Sequence, residues 1–302
     1  VSTASVTSSC PSYVRELPGR ADRLGMTGDS PRTPAEVHGA LHAKVALVCG
    51  VRNAIGRAIA TTLAQHGARI AFDAVPGSNT AETLSAVIES FGTNAMPTGN
   101  MTDPETRSHG MAEGPLWGAG QVYERFGQID ILVYVVSGNE SHDRTPLHQM
   151  HNRQWDECAH RHLDLVYRLV REVINPMRQR RFGRIVLITD PIAPSQYQAH
   201  AYSDIGQSGL VALTRTLARE NADHNVTANC VCPGLIERPG CRSNGPDDPQ
   251  AKTFRKRAEI EHIPAQRYGR PEDVAHLVTF LCSDRSAYIT GQRIAVDGGL
   301  SA

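Results

Sequence analysis

The chain has 302 residues, 40% of them hydrophobic, and its 31 Lys+Arg balance 31 Asp+Glu for a formal net charge of zero. That length and apolar fraction are enough for a full core, while the balanced charge offers no basic field to nucleic acid or to an anionic membrane. No run of 18 apolar residues marks a membrane span, and seven cysteines without CxxC spacing argue against a metal centre and suit a reducing cytoplasm.

Residues 1–42 are rich in Ser, Thr, Pro and Gly and read as a flexible amino-terminal extension. From residue 43 the chain alternates strand and helix. Strands are expected at 44–49 (KVALVC), 69–73 (RIAFD), 130–136 (DILVYVV), 183–189 (GRIVLIT), 226–232 (VTANCVC) and 293–297 (RIAVD), with a weaker one near 94–97. Helices are expected at 55–66, 80–91, 105–126, 152–180, 202–222 and 271–283. Strands separated by helices of this length form parallel βαβ units, so the fold class is α/β: a single doubly wound Rossmann-type parallel sheet with helices on both faces, over residues 43–302. Cys230 and Cys232 alternate on the sixth of these strands and read as small core residues on one face.

The segment KVALVCGVRNAIG at 44–56, an apolar strand running into a glycine turn, and the ending GRPEDVA, YITGQ and VDGG within 269–299 together resemble the short-chain dehydrogenase/reductase family, most nearly its 3-oxoacyl-[acyl-carrier-protein] reductases. The resemblance implies a nicotinamide cofactor, NAD or NADP, held where a strand ends in a tight turn against a helix amino terminus. Onto that pattern fall Gly50, Arg52, Asn53, Ile55 and Gly56 of the turn, Asn100 and Met101 at the adenine, and Pro233, Gly234 and Ile236 over the nicotinamide. Asp73 favours NAD through the adenosine ribose, although it stands one residue before the usual acidic position; Arg52 is placed to reach a 2′-phosphate instead. At 134–137, Tyr134-Val135-Val136-Ser137 replaces the family's NNAG.

The catalytic slot departs further. The resemblance implies a serine, a tyrosine, a lysine four residues after it and a relay asparagine. Lys44, Lys252 and Lys256 are the only lysines of the whole chain, so none lies in 197–210. Ungapped alignment puts Asp190 in the serine slot beside Thr189, Ser203 and Gln207 in the tyrosine and lysine slots, and His162 in the asparagine slot; Tyr202 stands one position early. Three readings stay open. Tyr202 serves as proton donor with Thr189 and either His162 or His200 assisting, or the site is inactive, or Asp190 has been recruited to other chemistry. The expected function is accordingly a carbonyl or 3-oxoacyl thioester reductase-like NAD(P)(H)-dependent oxidoreductase with altered catalytic residues. The alternative is a catalytically silent subunit that partners an active reductase. Expected partners are a small carbonyl or acyl thioester substrate and a homotetramer or a hetero-oligomer with a related reductase, with no nucleic acid and no membrane.

Overall fold

Val45, Leu47 and Cys49 of the first strand pack into one apolar layer while Ala46 and Val48 pack into another, so both faces of this strand are covered. Such two-sided burial is what a parallel sheet requires, because its crossover helices lie on both faces. The computed structural model describes residues 39–99, 117–136, 147–159, 163–189, 201–237 and 260–302. Within these, strands β1 (Val45–Cys49), β2 (Arg69–Phe72), β3 (Ala95–Pro97), β4 (Ile131–Val135), β5 (Gly183–Ile188), β6 (Val226–Pro233) and β7 (Arg293–Val296) form one parallel sheet in the order β3-β2-β1-β4-β5-β6-β7. Helices α1 (Ala54–Gln65), α2 (Asn79–Glu89) and α7 (Pro271–Cys282) cover one face; α3 (Trp117–Phe126), α5 (Leu165–Arg180) and α6 (Ala201–Asn221) cover the other. Leu41, inside the segment assigned by sequence to the extension, is also part of the core.

Within the expected helix 152–180, Asn152–Ala159 forms α4, whose described side chains are mostly exposed, and a π-helical turn at 163–164 leads into α5, which carries a buried stripe of Leu165, Val166, Leu169, Val170, Val173 and Met177; residues 160–162 lie outside the described residues. Only α5 has the apolar periodicity that holds a helix against a sheet. Pro176 inside α5 cannot donate to Glu172 O; Tyr123 Oη of α3 donates to that carbonyl at 3.3 Å and supplies the missing partner.

Arg184 of β5 is fully buried, its guanidinium over the Phe182 ring. Nη1 donates to Gly183 O and Asn225 O at 2.9 and 3.0 Å, and Nη2 to Asp284 Oδ1 at 3.4 Å, tying β5 to the segment after α7. Burial pulls its pKa down and the Asp284 carboxylate opposes that pull.

Pro271 opens α7 at its first position, and Asp273 Oδ2 accepts from the Arg270 amide at 2.8 Å and from Arg267 Nη1 at 2.7 Å. The Arg267 bond chiefly holds the Asp273 carboxyl below its ordinary value, against the opposing effect of partial burial. A carboxyl depressed in the folded state stabilises the fold above its unfolded pKa, near ~4, and that stability is lost as pH falls through the folded value. Asp273→Asn is therefore expected to lower Tm at pH 7 by on the order of 2 °C, and melting curves at pH 2–3 should bring variant and parent together. A Tm gap that persists in acid would show that the carboxylate charge is not what stabilises this turn.

Candidate functional site

The sheet order reverses between β1 and β4, so their carboxyl ends part and leave a crevice at a topological switch point, where open α/β sheets bind ligands. β1 ends at Cys49 and the chain turns at Gly50 with φ +100°, a conformation glycine adopts without strain. A Cβ on Gly50 would run into Val135 O and lie 2.9 Å from Val135 Cβ, and a Cβ on Gly56 would run into Gly50 O. Both glycines are thus required by close backbone approach between β1, β4 and α1.

Within the turn, Asn53 N donates to Gly50 O, and the Asn53 side chain caps α1 by accepting from Ile55 N at 2.9 Å. Arg57 Nη1 reaches back to Val51 O and Arg52 O at 3.2 and 2.9 Å. Among the described residues nothing accepts from the amides of Arg52, Ala54 and Gly56. These donors lie at or beside the amino terminus of α1, where the helix dipole favours an anion. The Arg52 side chain is exposed.

Asp73, just past β2, is 1% exposed. Its Oδ1 accepts from Gly50 N at 2.7 Å and Val51 N at 2.9 Å, so the carboxylate braces the glycine turn from beneath. The neighbouring Cys49 thiol is pushed well above its usual range by burial first and by the Asp73 charge second.

At the end of β4, Tyr134, Val135 and Val136 are all at most 2% exposed; Tyr134 and Val136 pack on the α5 face and Val135 on the α1 face. The bulky residues in place of NNAG are core. Thr189 follows β5, is buried, and donates its amide to Val231 O at 3.0 Å. Its side chain hydrogen-bonds Cys232. Cys230 and Cys232 are buried free thiols, as expected from sequence, and hydrogen-bond to each other: this contact lowers the Cys232 pKa, with Thr189 and Arg293 adding to it, and raises that of Cys230. No metal-binding group of His, Cys, Asp and Glu occurs among the described residues. Gly234 donates to Val296 O at 2.9 Å and packs on Asp297, while Ile236 bridges Gly269, so the segment after β6 is anchored to β7 and to the lead-in of α7. Asn100, Met101, His162, His200, Asp190 and Ser137 lie outside the described residues.

α6 is helical without interruption from Ala201, so Tyr202 and Ser203 are successive helical residues about 100° apart around its axis. Residue 206, one turn after Tyr202, is a buried glycine, on a stripe continued by Leu210, Thr214 and Leu217; residue 207, one turn after Ser203, is half-buried glutamine.

Residues 50–301 match the enoyl-(acyl carrier protein) reductase family profile. The 3-oxoacyl-[acyl-carrier-protein] reductase FabG of Escherichia coli (strain K12) is 33% identical over 257 residues, covering 85% of this chain and 97% of that protein. Its namesake in Vibrio harveyi is 32% identical over 262 residues, covering 86% and 98%. This chain belongs to the short-chain dehydrogenase/reductase family. Among solved structures, a short-chain dehydrogenase/reductase of Serratia marcescens superposes with a TM-score of 0.71 at 24% identity, over 87% of this chain and all of that one. The acetoin dehydrogenase YohF of Salmonella typhimurium gives 0.68 at 26%, over 85% and 96%.

Gly50, Arg52, Asn53, Ile55, Gly56, Asp73, Pro233, Gly234 and Thr189 lie at or just past the carboxyl ends of β1, β2, β5 and β6, on the carboxyl edge of the sheet. Three features escaped the sequence reading: the Arg57 clamp on the turn, the Asp73 brace, and the Thr189–Cys232 bond. The first two depend on where one side chain folds back, which no spacing announces. The third had a sequence signal, since Cys232 and Thr189 both end adjacent strands.

Proposed function

We propose that this chain binds a nicotinamide dinucleotide, NAD or NADP, in the β1–β4 crevice and acts as a slow cytoplasmic reductase of small carbonyls or 3-oxoacyl thioesters. The observation that carries the binding half is the turn at 50–56. Two glycines leave its backbone bare, and the amides of Arg52, Ala54 and Gly56 have no acceptor among the described residues. A pyrophosphate fits such donors. The 3-oxoacyl thioester follows from the names of the bacterial relatives and from nothing in the crevice itself.

When bound, the dinucleotide supplies the hydride. The chain must then deliver a proton to the carbonyl oxygen, for which Tyr202 in the first turn of α6 is the phenol at hand, with Thr189, Asp190 and His162 as the remaining polar candidates. A phenol without a neighbouring cation titrates near ~10 and is poorly matched to proton transfer at pH 7. The second reading, a catalytically silent subunit that assembles with an active reductase, draws on the register of α6, where Ser203 and Gln207 stand one turn apart in the tyrosine and lysine slots. Assembly surfaces are available to a homotetramer or a hetero-oligomer: β7 is an edge strand, and Tyr167 and Phe280 are exposed.

Steady-state assays with an acetoacetyl thioester separate these readings. The purified chain is expected to turn over below about 1 per second, the lower end of ordinary enzyme rates, and Tyr202→Phe is expected to abolish that turnover. A parent rate of 10–10³ per second would refute the slow-reductase proposal, and a rate equal to buffer alone would favour the silent subunit.

A further inference from the structure

β6 ends on two thiols that the proposed reduction does not use. Cys230 and Cys232 stand two residues apart on one face of the strand, with Thr214 of α6 hydrogen-bonded to Cys230, and both are buried free thiols. Three donors meet on one sulfur: Cys232 accepts from the Cys230 thiol, from the Thr189 hydroxyl just past β5, and from the guanidinium of Arg293 on β7. The Cys230 bond first, then Thr189 and Arg293, pull the Cys232 thiol below its ordinary value against the opposing effect of burial, while Cys230 is pushed up. The pair is thus a thiolate held beside a thiol, the arrangement that makes a cysteine nucleophilic. Cys49 and Cys282 differ, since burial pushes both of those thiols up.

Arg293 stands in register with Cys230 across the β6–β7 ladder and is itself exposed, because β7 is the edge of the sheet. A side chain at the rim of the molecule therefore separates this thiolate from solvent. Alternate residues of a parallel strand have Cα atoms about 6.6 Å apart, near the upper end of the roughly 4.4–6.8 Å that a disulfide spans. A bond between the two sulfurs is within reach, but it draws in the end of β6. That end is tied to β7 by Cys230 N donating to Gln292 O at 2.8 Å and Gly234 N to Val296 O at 2.9 Å.

We propose that Cys232 and Cys230 are a peroxide-reactive pair, Cys232 the attacking sulfur and Cys230 the resolving one, whose disulfide loosens β6 from β7 at the carboxyl edge of the sheet. The Cys232 thiolate attacks one oxygen of hydrogen peroxide; the O–O bond breaks, a sulfenic acid forms, and hydroxide leaves and takes a proton from solvent to become water. The Cys230 sulfur then displaces the sulfenic oxygen, which departs with the Cys230 proton as a second water. Two thiols give up two electrons and the peroxide accepts them. This chemistry is independent of the dinucleotide.

The test treats the full chain with hydrogen peroxide at pH 7, alkylates the remaining thiols, weighs the peptides, and records melting curves before and after. The peptide holding residues 230–232 is expected to lose two hydrogens at a rate at least about tenfold above any change at Cys49 or Cys282, and dithiothreitol should reverse the loss. Tm should fall on oxidation and recover on reduction. In Cys230→Ser the reaction should stop at a sulfenic acid on Cys232 that dimedone labels, and in Cys232→Ser dimedone should leave Cys230 unlabelled; the arm on the parent chain needs neither variant. A 230–232 peptide that stays reduced while Cys49 or Cys282 reacts, a bridge that forms only in urea or leaves Tm unchanged, or dimedone on Cys230 in Cys232→Ser would each overturn the proposal.

Discussion

Turnover of an acetoacetyl thioester is expected to rise by on the order of 10²–10⁴ when Ser203→Tyr, Gln207→Lys and Asp190→Ser are combined, the range that positioned general acid–base groups contribute. The argument is one of helical register. α6 runs unbroken from Ala201 to Asn221, so residues 203 and 207 are one turn apart, the spacing at which an ammonium reaches a phenol and lowers its pKa. Replacing Asp190 removes a carboxylate that would oppose charge developing on the carbonyl oxygen. The competing register pairs Tyr202 with residue 206. Gly206 is buried, so Gly206→Lys is expected to cost stability without gaining activity, because a lysine there must shed its water inside the protein. If Gly206→Lys activates the chain and the triple variant does not, Tyr202 is paired in register with residue 206 rather than serving as a slow donor one position before the tyrosine slot, and the register argument is wrong.

The second large effect is expected at the two glycines of the turn. In Gly50→Ala the new methyl meets Val135 O and Val135 Cβ on a backbone with φ +100°; in Gly56→Ala it meets the carbonyl of Gly50. Overpacking against backbone and a strained left-handed residue each cost about 1–3 kcal/mol, which for a domain of this size corresponds to a Tm lower by on the order of 5–10 °C. Because β1, β4 and α1 must separate to admit the methyl, dinucleotide binding should fall at least tenfold in both variants. Paired melting and titration would check this; a variant that melts like the parent and binds as tightly would show that the crevice has slack which the backbone contacts deny.

Much of the fold was legible because each strand is a short β-branched apolar run flanked by turn residues, and burial on both sheet faces makes such runs continuous. KVALVC, GRIVLIT and VTANCVC reappear as β1, β5 and β6 within a residue or two. Within the expected helix 152–180 the sequence did not show which part faces the sheet: α5 carries the buried apolar stripe, while the described side chains of α4 are mostly exposed. In the site, Gly50 and Gly56 were readable from spacing, since only a residue without Cβ fits those approaches. Asp73 was readable as a carboxylate at the right strand end but not as one turned inward, because the offset of one residue that aims it at Gly50 N and Val51 N is a three-dimensional fact. Tyr134, Val135 and Val136, which stand in place of the family's NNAG, are buried on alternate faces of β4 as ordinary strand packing.

A chain with the binding turn retained and the acid–base register changed should hold reduced cofactor and spend it slowly. The most direct test is a stopped-flow single turnover in which the fluorescence of NADPH or NADH is followed, first on mixing with the purified chain and then on adding an acetoacetyl thioester. The expected trace shows a saturable rise on binding, followed by a decay slower than about 1 per second. No rise with either at millimolar concentration, or a decay of 10–10³ per second, would contradict it.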